Sequence, residues 1–171
     1  AIKTLSGTIP RKTTYRFLGW GDHEGQRTFL TPGMSLTAAG ALPDPPEVEL
    51  ENRLSGYGLV VASWEDSLAA FNAAIAVFPP HMASALTAFA LLPLVQRFFP
   101  PAAMRPALHL VGTTGSGKSE IAALMSSFYG QFTRDTPPAQ WGDTVNTVEV
   151  LGYALADALF WVDDWKPCYS D

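Results

Sequence analysis

Gly112-Thr113-Thr114-Gly115-Ser116-Gly117-Lys118-Ser119 reads G-x-x-x-x-G-K-[ST], the spacing of a phosphate-binding loop. Glycines at those places let successive backbone N–H groups turn inward around the β- and γ-phosphates of a nucleotide. Lys118 adds a positive charge, and the Ser119 hydroxyl is a ligand for Mg²⁺. A helix beginning near Gly117 aims the positive end of its dipole at the same phosphates. The expected ligands are therefore ATP, held by all eight residues, and Mg²⁺, held by Ser119. Hydrolysis also needs carboxylates that hold Mg²⁺ through water and polarise the attacking water. Residues 158–162, Ala-Leu-Phe-Trp-Val, are followed by Asp163 and Asp164. Five apolar residues ending in two acids is how a buried parallel strand delivers carboxylates at its C-terminal edge, where open α/β sheets bind ligands. Asp163 is the candidate for Mg²⁺ and Asp164 for the water-activating base, with Lys118 completing the catalytic set.

These groups need elements to carry them. The apolar run Ala107-Leu108-His109-Leu110-Val111 predicts a strand directly before the loop, and Ile121, Leu124, Met125 and Phe128 fall on one face of a helix after it. Between loop and acids, a second helix capped by Asp143 or Thr144 is expected to bury Val145, Val148, Gly152 and Leu155, with Asn146, Glu149 and Tyr153 facing elsewhere. Upstream, residues 63–100 read as helical. Ser63 is an N-cap candidate with Asp66 three residues on, and Leu68, Phe71, Ile75 and Phe78 recur at helical spacing. A second helix runs from His81 to about Phe99, kinked near Pro93. Residues 1–62 read as β-rich. Segments 15–20 and 27–30 are strands joined by a loop over 21–26, and 48–51 is expected to pair with 57–61. The predicted organisation is thus a β-rich region (1–62), a helical segment (63–100) and the first half of a nucleotide-binding parallel-sheet core (101–171), in the α/β class.

Composition narrows the possibilities. Of 171 residues 47% are hydrophobic, enough for a real core, and the formal net charge of −5 gives no basic footprint for nucleic acid. Arg11, Lys12 and Arg16 form a small basic cluster that reads as solvated surface. A single cysteine, Cys168, provides neither an internal disulfide nor a C-x-x-C pair. No formal charge occurs from Ser67 to Gln96, but Pro79-Pro80 splits that stretch, and the longer piece falls short of the ~18 apolar residues of a membrane span. A pair of buried helices is expected there, with no membrane contact. Nothing at the start resembles a signal peptide, so a cytoplasmic location is expected. Asp22, His23 and Glu24 are consecutive and converge poorly on one metal ion, so they read as a solvated loop.

The segment from the phosphate loop to the acid pair resembles the ATPase domain of replicative helicase and primase-helicase proteins carried by plasmids, phages and integrated elements. The resemblance covers roughly Leu108 to Pro167. Its more specific part is Trp141, Asp143, Thr144, Asn146 and Glu149 leading to Val-Asp-Asp. It implies a ring-forming motor, AAA+-like or superfamily 3-like, working as a hexamer that hydrolyses ATP and translocates on DNA. Gly112, Gly115, Gly117, Lys118 and Ser119 would bind ATP and Mg²⁺, with Asp163 and Asp164 completing the site. Two departures stand out. The second acid of such ATPases is commonly Glu, so Asp164, one methylene shorter, predicts slower hydrolysis. The sensor and arginine-finger strands of such motors are expected beyond Asp171, which makes this chain read as the first half of a core. Two other readings fit the same loop. One is a nucleotide-regulated interaction or assembly module without turnover. The other is a small-molecule kinase, disfavoured because Arg134 is the only arginine after the loop to hold a second phosphorylated substrate.

Overall fold

The computed structural model describes residues 12–100 and 105–164. Arg11, Cys168 and the end of the family-like stretch, up to Pro167, lie outside the described residues. The chain is a mixed α/β protein with both antiparallel and parallel strand pairs. No helix among the described residues is long and apolar enough to cross a membrane.

Among the described residues the N-terminal part holds six short strands. β1 (Thr14–Tyr15) pairs in parallel with β6 (Glu47–Val48), while β2 (Gly19–His23), β3 (Gln26–Leu30), β4 (Leu36–Thr37) and β5 (Gly40–Ala41) form an antiparallel meander in that order. The expected hairpin is present but tighter than predicted. Both strands run into the polar segment and leave only Glu24 and Gly25 as the turn, with φ of 53° and 78°. Two positive φ values match the twist of a two-residue hairpin, and Asp22 accepts a hydrogen bond from the Gly25 amide at 3.0 Å. The hairpin expected between 48–51 and 57–61 is absent. Asn52–Leu54 forms a 3₁₀ turn, and Tyr57 bridges to Gly130 instead. Leu54 and Tyr57 are both fully buried. Burying such side chains is worth about 1.5–3 kcal/mol each, against roughly 0.5–1.5 kcal/mol net for a hydrogen bond. The segment therefore turns inward rather than extending a ladder.

Two helices follow. In α1 (Trp64–Ala76) the Ser63 hydroxyl accepts from the Asp66 amide at 3.0 Å, the cap read from sequence. α2 (Pro80–Gln96) starts on a proline whose missing N–H costs nothing at that position, and it continues through Pro93. The expectation of two buried helices fails. No residue of α1 is buried and Leu68 is 42% exposed, while α2 buries only Leu86 and Ala90. Along the expected stripe Phe71, Ile75 and Phe78 are half-buried, and Phe71 meets the ring of Phe128 edge-on.

α3 (Lys118–Ser126) buries Ala123, Met125 and Ser126, with Ile121, Leu124 and Phe128 packed against the core as its periodicity predicts. β7 (Ala139–Gln140) leads to α4 (Val145–Ala154), which returns the chain to β8 (Val162–Asp163), parallel to β7. Thr144 caps α4, accepting from the Thr147 amide at 3.2 Å. The expected buried face of α4 is met in part. Leu155 is buried, and Val148 and Gly152 are half-buried, but Val145 is 74% exposed, and Leu151 and Ala154 pack inward instead. A further correction concerns 107–111, which forms no strand: it has no ladder partner among the described residues and leaves Val111 91% exposed. A strand requires a neighbour as well as an apolar run.

Buried side chains from all three stretches meet in one cluster: Leu18, Phe29 and Tyr57 with Leu86 and Ala90, and with Met125, Tyr129 and Leu151. Hydrogen bonds tie the stretches together. The Trp20 indole donates to the Leu94 carbonyl at 2.8 Å, in the last turn of α2 where carbonyls lack helical donors, and Tyr129 donates to the Ala90 carbonyl at 2.7 Å.

Candidate functional site

Residues 112–117 connect the irregular segment before them to α3. Gly115 and Gly117 have φ of +81° and +79°, left-handed values that L side chains rarely adopt, and Gly117 is the N-cap of α3. With glycine there, the helix opens without a side chain over its end. Its first hydrogen bond runs from the Ile121 amide to the Gly117 carbonyl at 3.0 Å. The amides of Lys118, Ser119 and Glu120 come before that bond and are the donors a helix end leaves for an anion. Thr113, Thr114, Gly115 and Ser116 are exposed, so the loop is accessible along its length.

Lys118 folds back over the loop. Its ammonium donates to the carbonyls of Gly112 and Thr113, both at 2.8 Å, which places a full positive charge above the loop. Ser119, one residue on, has a different partner. Its hydroxyl donates to the Asp163 carboxylate, at 3.2 Å to Oδ1 and 3.3 Å to Oδ2. Asp163 reaches this position because β8 pairs with β7 in the register Gln140 to Asp163, reinforced by the Trp141 amide donating to the Asp163 carbonyl at 3.0 Å. The parallel arrangement of the acid-bearing strand thus agrees with the sequence reading, although the ladder covers two residues, and Ala158, Leu159 and Trp161 are buried without being part of it.

A hydroxyl and a carboxylate oxygen 3.2 Å apart are two hard ligands. Their separation is close to the ~3.0 Å between adjacent corners of an octahedron with metal–oxygen bonds of ~2.1 Å, the geometry of Mg²⁺. Among the described residues no three His, Cys, Asp or Glu side chains gather to hold a metal by themselves. One carboxylate plus ligand phosphates is the usual protein contribution to a magnesium site, so the residues present fit the ion. Asp164 follows directly, exposed, with φ of 57°. The left-handed region is uncommon outside glycine but among the less costly for aspartate, and it ends the strand at once.

Residues of the family-like stretch have structural roles here. Asp143 bonds the Arg53 guanidinium at 2.8 Å and the Gln140 amide at 2.8 Å, joining the 3₁₀ turn at 52–54 to the end of β7. The Arg53 hydrogen bond, and after it the Gln140 amide, hold the Asp143 carboxyl below its usual range. Thr144 is the α4 cap, and Asn146 and Glu149 are exposed. Sequence reasoning missed two residues that secure this half of the chain. Arg53 lies 90 positions from its partner, and the buried Asp157 accepts from the Trp20 amide at 2.9 Å and pairs with Arg97. Neither leaves a local signal, since each is defined by a distant contact. No protein-family model matches the chain, and comparison with curated proteins and with solved structures returns no match.

Proposed function

We propose that this chain binds and hydrolyses ATP with Mg²⁺ at the loop 112–119, and that the hydrolysis drives a DNA helicase or translocase acting as an oligomeric ring, likewise hexameric. The observation that carries the nucleotide part is the contact of Ser119 with Asp163, two residues assigned to one magnesium ion from separate motifs. The parallel β7–β8 pair, with α4 between its strands, supports reading this region as part of a P-loop ATPase core. The motor part rests on the sequence resemblance over 108–167.

In this reading the amides at the start of α3 and the Lys118 ammonium hold the β- and γ-phosphates, Lys118 exchanging its loop carbonyls for phosphate oxygens. Ser119 and Asp163 hold Mg²⁺, which neutralises charge on the phosphate oxygens. Asp164 orients water and takes its proton as the terminal phosphate is released. A cytoplasmic setting suits ATP supply.

A second reading, a nucleotide-regulated assembly module without turnover, draws on the exposed apolar side chains Val60, Val61 and Trp64 leading into α1. Calorimetry of Mg-ATP binding and ATP turnover with and without single-stranded DNA separate the two. DNA-stimulated turnover that falls at least ~100-fold in Lys118→Ala, the scale of losing an electrostatic stabiliser, supports the motor. Binding without turnover, accompanied by a change of oligomeric state, supports the assembly module. Absence of Mg-ATP binding overturns both.

A further inference from the structure

Beside the phosphate loop lies a groove of about 260 Å³. Val77 and Phe78, at the corner between α1 and α2, form one wall, Ile121 and Leu124 of α3 form the other, and Ser116 and Gly117 of the loop border it. Whole ligands of drug size occupy roughly 300–1,000 Å³, so this space suits one ring system and not an entire nucleotide. We infer that the groove holds the nucleobase of the triphosphate, through apolar contact without hydrogen-bond readout of the base edge. The inference rests on the nucleotide reading of the loop above.

Continuity carries the argument. The groove and the anion-binding end of α3 share Ser116 and Gly117, so a ligand with its phosphates on the α3 amides has its base one ribose away, against the first two turns of the same helix. Gly117 presents no side chain to block the passage, and a Cβ placed there would meet nothing within 4 Å. The walls are four apolar side chains. Phe78, Ile121 and Leu124 are half-buried and pack against the core, which holds the groove's walls in place, while Val77 is 69% exposed at its lip. The polar side chains at the border are the Ser116 hydroxyl and the Glu120 carboxylate, the latter paired with Arg134 at 3.4 Å. A wall of this kind attracts a planar ring by stacking and area, which every base offers, and discriminates weakly between hydrogen-bonding edges. The corner of the helical segment thereby becomes part of the nucleotide site, linking base occupancy to the position of α1 and α2.

The test is calorimetry of the chain in Mg²⁺ with ATP, GTP and inorganic tripolyphosphate, for the unmodified protein and Phe78→Ala. ATP and GTP are expected to bind within about threefold of each other. Phe78→Ala is expected to weaken both by about tenfold, the effect of losing one stacking ring, and to leave tripolyphosphate within about twofold. Equal weakening of all three ligands, or of none, overturns the base groove while leaving the phosphate loop standing. Failure of tripolyphosphate and ATP alike to bind the unmodified chain overturns the phosphate-loop reading and this one with it. A variant-free measurement guards against misfolding of Phe78→Ala. Photolabelling with 8-azido-ATP is expected to mark the peptide containing Val77 and Phe78 or that containing Ile121 and Leu124, and label confined to other peptides overturns the proposal.

Discussion

Ser119 and Asp163, 44 positions apart, meet through a hydroxyl that donates to both oxygens of one carboxylate, at 3.2 and 3.3 Å. Ser119 is placed by the first turn of α3 and Asp163 by the β7–β8 register, so the contact reports the relative position of the helix and the strand. Asp163→Asn keeps the shape and removes the charge. The Mg²⁺-dependent part of ATP affinity is expected to fall by about tenfold or more, with affinity in EDTA nearly unchanged. Calorimetry in the two buffers checks it, and equal loss in both contradicts the assignment to the metal.

Gly19 and Asp157 make a different kind of joint. The Asp157 carboxylate accepts from the Trp20 amide at 2.9 Å, and a Cβ on Gly19, whose φ is +146°, would fall 2.6 Å from Asp157 Oδ2 and 3.0 Å from the Asp157 amide nitrogen. Gly19→Ala is expected to destabilise the chain by about 2–3 kcal/mol through strain and displacement of the carboxylate. In urea unfolding its effect should add poorly to that of Asp157→Ala, because the two residues touch.

The Arg53 and Asp143 pair predicts an acid limb. The folded carboxyl of Asp143 lies below its ordinary value of 3.8, chiefly because of the Arg53 hydrogen bond. A depressed folded pKa adds stability that is present above the unfolded value and is lost as pH falls through the folded one. The melting-temperature advantage of the native protein over Arg53→Met should therefore be constant above about pH 5 and shrink as pH falls below the ordinary aspartate value.

Tyr57 and Tyr129 predict the alkaline limb. Both phenols are raised above their usual 10.0, in each case mainly by burial, with Tyr129 adding to the shift of Tyr57 and Asp157 to that of Tyr129. A raised folded pKa contributes stability that is complete below the unfolded value and lost as pH climbs above it. Melting temperature should fall above about pH 10, less steeply in Tyr57→Phe. At neutral pH the same variant should lose about 1 kcal/mol or more, because the Leu159 carbonyl forfeits the phenol that donates to it at 2.7 Å.

Features governed by a few neighbouring residues were legible in the chain itself. The glycine turn at Gly115 and Gly117 that opens α3, the caps Ser63 and Thr144, the hairpin around Glu24-Gly25 and the apolar stripe of α3 depend on sterics and hydrogen bonds within one turn or one loop, and those act on residue type directly. Features that need a partner were decided only in the folded chain. Among the described residues, 107–111 have strand composition and no ladder, 57–61 gave up a predicted hairpin so that Tyr57 could be buried, and the apolar stripe of α1 is only half covered, Leu68 remaining exposed. Ser119 and Asp163 belong to both groups. Their chemical types and order are written in the sequence, whereas their 3.2 Å approach exists because a two-residue parallel ladder fixes Asp163 beside the start of α3. Local propensity acts over a few residues, and the burial energy that selects distant partners is shared across the whole core.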